Sequence, residues 1–238
     1  MQVAIAYFLT NFNYPFFKYT EKPKLIPNIA NWCDSVKKVG MDAIVFLDDE
    51  NNLSHPITKQ YDNIRFEFVD SKGGINPMDY RWILLNKFLD SRDDIEAFVM
   101  TDIGDAMFLK NPFDFILRQS GYIYIGDEET QVSNGWMAHR VSLIGEKECS
   151  SIYEEIKHKK LLNCGILGGY TKDVKTLIKD VSDRLLLYNC TSDTVDMVVF
   201  NEILYTRYDS SKIIHGAPLN TEFWKWDWNN KNCYIQHK

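Results

Sequence analysis

The chain has 238 residues, 45% hydrophobic and 25% charged, with a net charge of −6 and a pI near 5.4. That balance suits one globular domain with a sizeable core, and no linker-like tract or internal repeat divides residues 1–238. It excludes nucleic acid as a partner: basic residues are scattered, and the densest group, Lys157-His158-Lys159-Lys160, reads as a solvated helix face.

The five cysteines, Cys33, Cys149, Cys164, Cys190 and Cys233, are odd in number and lack C-x-x-C spacing. Neither a zinc site nor a disulfide framework is expected, only buried thiols in a reducing compartment. The opening MQVAIAYFLTNF has no basic n-region, and no apolar stretch is long enough to be a transmembrane segment. The expectation is a soluble cytoplasmic protein.

In chain order, residues 3–9 form a near-continuous apolar run, as in a strand covered on both faces. An aromatic loop, Asn13-Tyr14-Pro15-Phe16-Phe17, follows. Pro27 suits the first turn of a helix with Ile29, Cys33 and Val36 on one face and Gly40 at its end. Strands are expected at 43–47 and 64–69. Asn76-Pro77 opens a helix with an apolar stripe of Trp82, Leu85 and Leu89, and a fourth strand covers 97–100. The second half is less regular: a short strand at 122–125, a helix at 151–159, the run Leu161 to Gly169, helices at 172–188 and 194–206, and an aromatic tail from 213. The β-α-β rhythm of the first half implies an α/β fold whose central sheet is mostly parallel and flanked by helices.

Ligands bind such sheets outside the carboxyl ends of the strands. There the apolar run Phe98-Val99-Met100 stops at Asp102 and Asp105. Two carboxylates at a strand end can present oxygen to Mg²⁺ or Mn²⁺; equally, Asp102 and Gly104 can build a tight turn.

The segment T-D-I-G-D-A-M-F-L-K-N-P-F resembles the metal-motif region of GT-A glycosyltransferases. Downstream, Asn163-Cys164-Gly165 is similar to the N-A-G segment of glycogenin-like and lipopolysaccharide sugar transferases, and Asp196-Met197-Val198-Val199-Phe200-Asn201 to their D-Q-x-x-x-N segment. Gln236-His237-Lys238 is similar to the late histidine that completes the metal site in several of them. The resemblance implies a GT-A-like single domain, its 1–110 half binding a nucleotide sugar and its 111–238 half the acceptor and the metal-site tail.

It also implies residue roles. Asp105 is a ligand of Mn²⁺ or Mg²⁺, His237 another, and Asp102 either joins them through water or holds donor hydroxyls. Asn163 and Asp196 bind the transferred sugar, and Asn201 lies in the same segment. Gly165, Gly168 and Gly169 allow close backbone approach. The motif departs from D-x-D, and Met197 stands where retaining relatives carry glutamine.

The residues themselves add candidates. Asp196 can also be part of a helix-capping arrangement with Asp193. Asp127, Glu128 and Glu129 follow a strand end and are candidates for a general base. Arg81 can clamp a diphosphate or form an ion pair. Tyr7 or Tyr14 can stack on a nucleobase, and Trp224 in Phe223-Trp224-Lys225-Trp226-Asp227-Trp228 can stack on a sugar. His215 is either a second metal or diphosphate contact or a core histidine.

The expected activity is metal-dependent transfer of a sugar from a nucleotide diphosphate, UDP-linked by preference, to a glycan or other hydroxyl acceptor, by inversion or retention. The alternatives are a non-catalytic carbohydrate-binding module and another Mg²⁺ enzyme such as a pyrophosphorylase. The latter lacks its Gly-rich basic loop in Thr10-Asn11-Phe12-Asn13-Tyr14-Pro15.

Overall fold

The apolar runs of the first half pair side by side as a parallel sheet. Strands β1 (Gln2–Phe8), β2 (Ala43–Leu47), β3 (Ile64–Phe68) and β4 (Ala97–Thr101) carry almost uninterrupted buried residues, except at the edge strand β3. In the computed structural model, which describes residues 1–10, 24–71, 75–223, 225 and 230–238, β1 lies between β2 and β4 and β3 flanks β2, all parallel. The side chains of residues 26 and 28 are also outside the description.

Helix α1 (Leu25–Lys38) begins before the expected Pro27, and Gly40 just beyond its end adopts φ +68°. A short α2 (Glu50–Leu53) follows β2, and α3 (Pro77–Asp90) starts where Asn76 caps it, its side chain accepting from the Met78 N–H at 2.9 Å. After β4 come β5 (Ala106–Phe108) and α4 (Phe113–Ile116).

The second half extends the same sheet. Strand β6 (Ile123–Gln131) is longer than expected and continues through irregular pairing after Ile125 and Asp127. Helices α5 (Gly135–Ile144), α6 (Lys147–Ile156), α7 (Thr171–Tyr188) and α8 (Asp196–Arg207) follow; α5 was not anticipated, and α6 ends before residue 159. The run from Lys160 to Tyr170 is β7, antiparallel to both β4 and β6, and β8 (Ile213–His215) runs parallel to β6 at the edge. The order is β3-β2-β1-β4-β7-β6-β8. A second sheet pairs β5 with β9 (Ile235–His237), antiparallel.

One face of the main sheet packs Val3, Ile5 and Met100 against Trp82, Leu177 and Phe200 of α3, α7 and α8. The other packs Ala4, Ala6 and Val99 against Ile29, Trp32 and Cys33 of α1. The result is an α/β single domain with a mixed, mostly parallel sheet. All five cysteines are buried thiols. Among the described residues, no helix is long and apolar enough to cross a membrane.

Candidate active site

Strand β4 ends at Thr101, and the next residue ties it to β7: the Asp102 N–H donates to the Gly165 carbonyl at 2.8 Å. The chain turns through Gly104 and Asp105 into β5. There Ala106 pairs with His237, and the Lys238 N–H donates to the Asp105 carbonyl at 3.1 Å. Antiparallel register, rather than sequence proximity, thus sets His237 beside the two acids. Thr221 holds the histidine backbone, its Oγ1 accepting the His237 N–H at 2.9 Å and donating to the His237 carbonyl at 3.0 Å. The Phe223 ring lies 4.5 Å from the imidazole.

His237 Nε2 is 3.7 Å from Asp102 Oδ2 and 3.8 Å from Asp105 Oδ1, too far for hydrogen bonds. One ligand atom from each of the three residues lies within 4.8 Å of the others. Both imidazole nitrogens and Asp105 Oδ1 are buried without a hydrogen-bond partner. Each such group costs about 1–3 kcal/mol if nothing satisfies it. Two carboxylates and a nitrogen aimed at one another are a donor set for a divalent cation.

Gly165 keeps that space open. A Cβ there would overlap Asp102 Oδ2 and come within 2.8 Å of His237 Cε1 and 2.9 Å of Asn163 Oδ1. Gly168 and Gly169 do different work from that expected. A Cβ on Gly168 would lie 2.9 Å from the Phe98 carbonyl, and one on Gly169 2.6 Å from Val174 Cγ2, so these two allow packing within the sheet and against α7.

Burial disfavours the Asp102 anion, but the Arg81 guanidinium and the nearby His237 outweigh it and hold this carboxyl well below the usual range. Asp105 goes the other way: burial, then the Asp102 charge, push it up to about 6. The acid without a cationic partner is the one left waiting for a positive charge.

Arg81 is buried and spans two carboxylates. It donates to Asp102 Oδ1 through Nη1 and to Asp196 Oδ2 through Nη2 at 2.9 Å. Its terminal nitrogens are thereby paired within the protein, as in the ion-pair reading of this residue. Asp196 Oδ2 also accepts from Cys164 Sγ at 3.3 Å and Trp82 Nε1 at 3.4 Å. Its Oδ1 accepts the Met197 N–H at 2.8 Å and lies 3.0 Å from Thr194 Oγ1. At the start of α8, Asp193 Oδ1 accepts the Thr194 N–H at 2.7 Å, and Asp79 of α3 caps the residues that follow. Asp79 Oδ1 accepts from Thr194 Oγ1 and the backbone N–H groups of Val195 and Asp196 at 2.8, 3.0 and 2.9 Å. Burial and the Asp196 charge push Asp79 up to about 8.

Asp127 and Glu128 lie inside β6, not beyond its end. Glu128 Oε2 accepts from Asn163 Nδ2 at 3.0 Å, and Asn163 Oδ1 accepts the Gly165 N–H at 2.7 Å. This chain of contacts joins Glu128 to the Asp102–His237 cradle, and burial raises its proton affinity. Asp127 is held elsewhere, 3.1 Å from His215 Nδ1 and 3.3 Å from Lys160 Nζ. His215 is accordingly Asp127's partner and is not part of the metal cluster.

Asn201 is fully buried and clips α8 to β7, accepting the Leu162 N–H at 3.0 Å and donating to its carbonyl at 2.9 Å. Its side chain is wholly enclosed by these contacts. Tyr7, at the carboxyl end of β1, stacks on Phe46 with centroids 5.0 Å apart. Tyr14 and Trp224 lie outside the described residues. Asp79, Thr194 and Thr221 carry no role in the sequence reading. Only Asp79 had a signal, an acid in the helix turn that carries Arg81.

No protein-family model matches the chain, and no curated protein sequence does. Among solved structures it is similar to the galactosyltransferase LgtC, crystallised in complex with donor and acceptor sugar analogs. The TM-score is 0.52 at 14% identity, over 100% of this chain and 86% of that one. The fold is GT-A-like, as a single domain.

Proposed function

We propose that this protein is a metal-dependent glycosyltransferase that moves a sugar from a nucleotide diphosphate, preferentially UDP-linked, to a hydroxyl of a glycan or similar acceptor. The observation that carries this reading is the Asp102–Asp105–His237 cluster with its unpartnered imidazole nitrogens and Asp105 oxygen at the carboxyl-end rim. These residues would hold Mn²⁺ or Mg²⁺, and the bound ion supplies Lewis-acid stabilisation of the charge on a departing diphosphate.

The protein's own groups divide the remaining work. The 1–110 half and β7 frame the donor: Asp102 and Gly165 at the rim, with Asn163 beside them. Arg81 keeps Asp102 ionised. The 111–238 half supplies the acceptor side and the metal-site tail. Asp196 shares the Arg81 charge with Asp102 and accepts three further hydrogen bonds, so it is poorly suited to attack carbon. Met197 adjoins it with a thioether whose Sδ accepts the Cys164 N–H at 3.3 Å. Glu128, held by Asn163 and raised in proton affinity, suits removal of the acceptor hydroxyl proton. That division favours inversion at the sugar carbon.

The test is a panel of nucleotide sugars with and without Mn²⁺, read first by thermal shift and then by product stereochemistry. Metal-dependent stabilisation by one donor and an inverted product are expected. Sugar binding that persists in EDTA without nucleotide binding would instead indicate a carbohydrate-binding module.

A further inference from the structure

Trp136 is 39% exposed and is the second residue of α5, the helix that leaves the carboxyl end of β6. Its direction is set by its neighbours. Asn134 caps α5 by accepting the Met137 N–H at 2.8 Å, and its Nδ2 donates to Thr130 Oγ1 on β6 at 2.9 Å. Met137 is buried in the core, which turns the preceding indole outward.

One helical turn further on, the Arg140 guanidinium lies 3.9 Å from the centre of a Trp136 ring. Arg140 does not float there, because its Nη2 pairs with Asp193 at 2.8 Å. Asp193 precedes Thr194, Val195 and Asp196, the segment fastened to Asp79. The indole is therefore backed by a fixed cation and linked through it to the chain carrying Asp196. It stands on the helix that follows the strand carrying Glu128.

A rigid, half-exposed indole backed on one side suits the C–H face of a pyranose, while its edge N–H can reach a hydroxyl. Backing by Arg140 also removes the ordering cost of a mobile side chain. We propose that Trp136 is a saccharide-stacking subsite that receives the acceptor sugar. Its role as the acceptor's subsite rests on the glycosyltransferase reading; the stacking itself does not.

Saturation-transfer NMR on the full chain with cellobiose, maltose and lactose tests the proposal. The wild type should transfer saturation to at least one disaccharide. Trp136→Ala should weaken binding roughly tenfold, and Trp136→Phe should retain part of it. Trp136→Gln, which keeps a longer side chain than Ala but no ring, should behave as Ala does. The thermal shift caused by Mn²⁺ and UDP should be the same in all variants. Equal saturation transfer in wild type, Trp136→Ala and Trp136→Gln, or none in the wild type, would overturn the subsite. Ring-dependent sugar binding in a protein that binds no nucleotide would keep the subsite and remove the glycosyl-transfer reading.

Discussion

Asp79 receives the backbone N–H of Asp196 at 2.9 Å, so the first turn of α3 caps the start of α8. This leaves the Asp196 side chain to Arg81, and through Arg81 to Asp102 at the metal rim. A capping contact between distant segments therefore sets the geometry of the candidate site.

The Asp79 contact has a pH signature. Its carboxyl titrates near 8 in the fold against 3.8 as the ordinary value. The folded state holds a proton that the unfolded chain releases, so this stabilisation is present below about 4 and is lost as pH rises through about 8. Asp79→Asn keeps an acceptor oxygen and removes the charge. Urea unfolding at pH about 5 and about 9 should show a smaller decline for Asn than for wild type, whereas Asp79→Ala should lose about 1–3 kcal/mol at both.

Asp105 should govern metal affinity. Because it titrates near 6, a cation arriving below that pH must displace its proton. Mn²⁺ binding should be strongest above about 6 and weaken roughly tenfold for each unit below it. Calorimetry in buffers of different ionisation enthalpy should detect proton release on binding. Asp105→Asn should fold, bind Mn²⁺ far more weakly and release no proton; wild-type affinity in that variant would remove Asp105 as a ligand.

His237 and the strand that carries it make separable contributions. His237→Ala deletes two unpartnered nitrogens but also a buried ring packed on Phe223, so the metal-free melting temperature should fall while the Mn²⁺-induced shift disappears altogether. Deleting residues 234–238 also removes buried Ile235 and the β5–β9 pairing, and should lower stability further. A normal metal shift in His237→Ala would exclude it from the site.

Gly165→Ala should act on the cradle directly. The added methyl meets Asp102, His237 and Asn163 at once, and a displaced Asp102 also loosens Arg81. Loss of Mn²⁺ binding with a destabilisation of about 1–3 kcal/mol is expected, the range typical of overpacking. Retained metal affinity would show that the cradle yields.

Asp196→Asn separates charge from shape. Arg81 would keep only Asp102 as a counter-ion, so the substitution should cost stability, on the order of 1–3 kcal/mol. Isothermal unfolding is the measurement. An unchanged stability would mean that Asp102 alone satisfies Arg81.

The sequence made the first half legible because buried parallel strands are written as unbroken apolar runs, and the first acids after such a run stand out. Asp102, Asp105 and His237 were readable as a set through their resemblance to known segments, and they do converge. Strand β7 was harder: its glycines and polar Asn163 interrupt the pattern, and their spacing serves the cradle and the sheet rather than periodicity. Gly126 read as the end of a strand, yet β6 runs on through an irregular register, which put Asp127 and Glu128 within it. Asp79 could not be paired with residues 194–196 from sequence, since only the packing of α3 beside α8 brings them together. Arg81 read equally as an anion clamp or an ion pair, because nothing local reveals that Asp102 and Asp196 converge on it.

The pairing of β9 with β5 orders events in time. Both acids and Gly165 belong to segments made before residue 235, whereas the imidazole arrives only when β9 closes against β5. A nascent or proteolysed chain that stops short of β9 carries the acids without the nitrogen. Metal capture by the full donor set would therefore report that β9 has closed against β5.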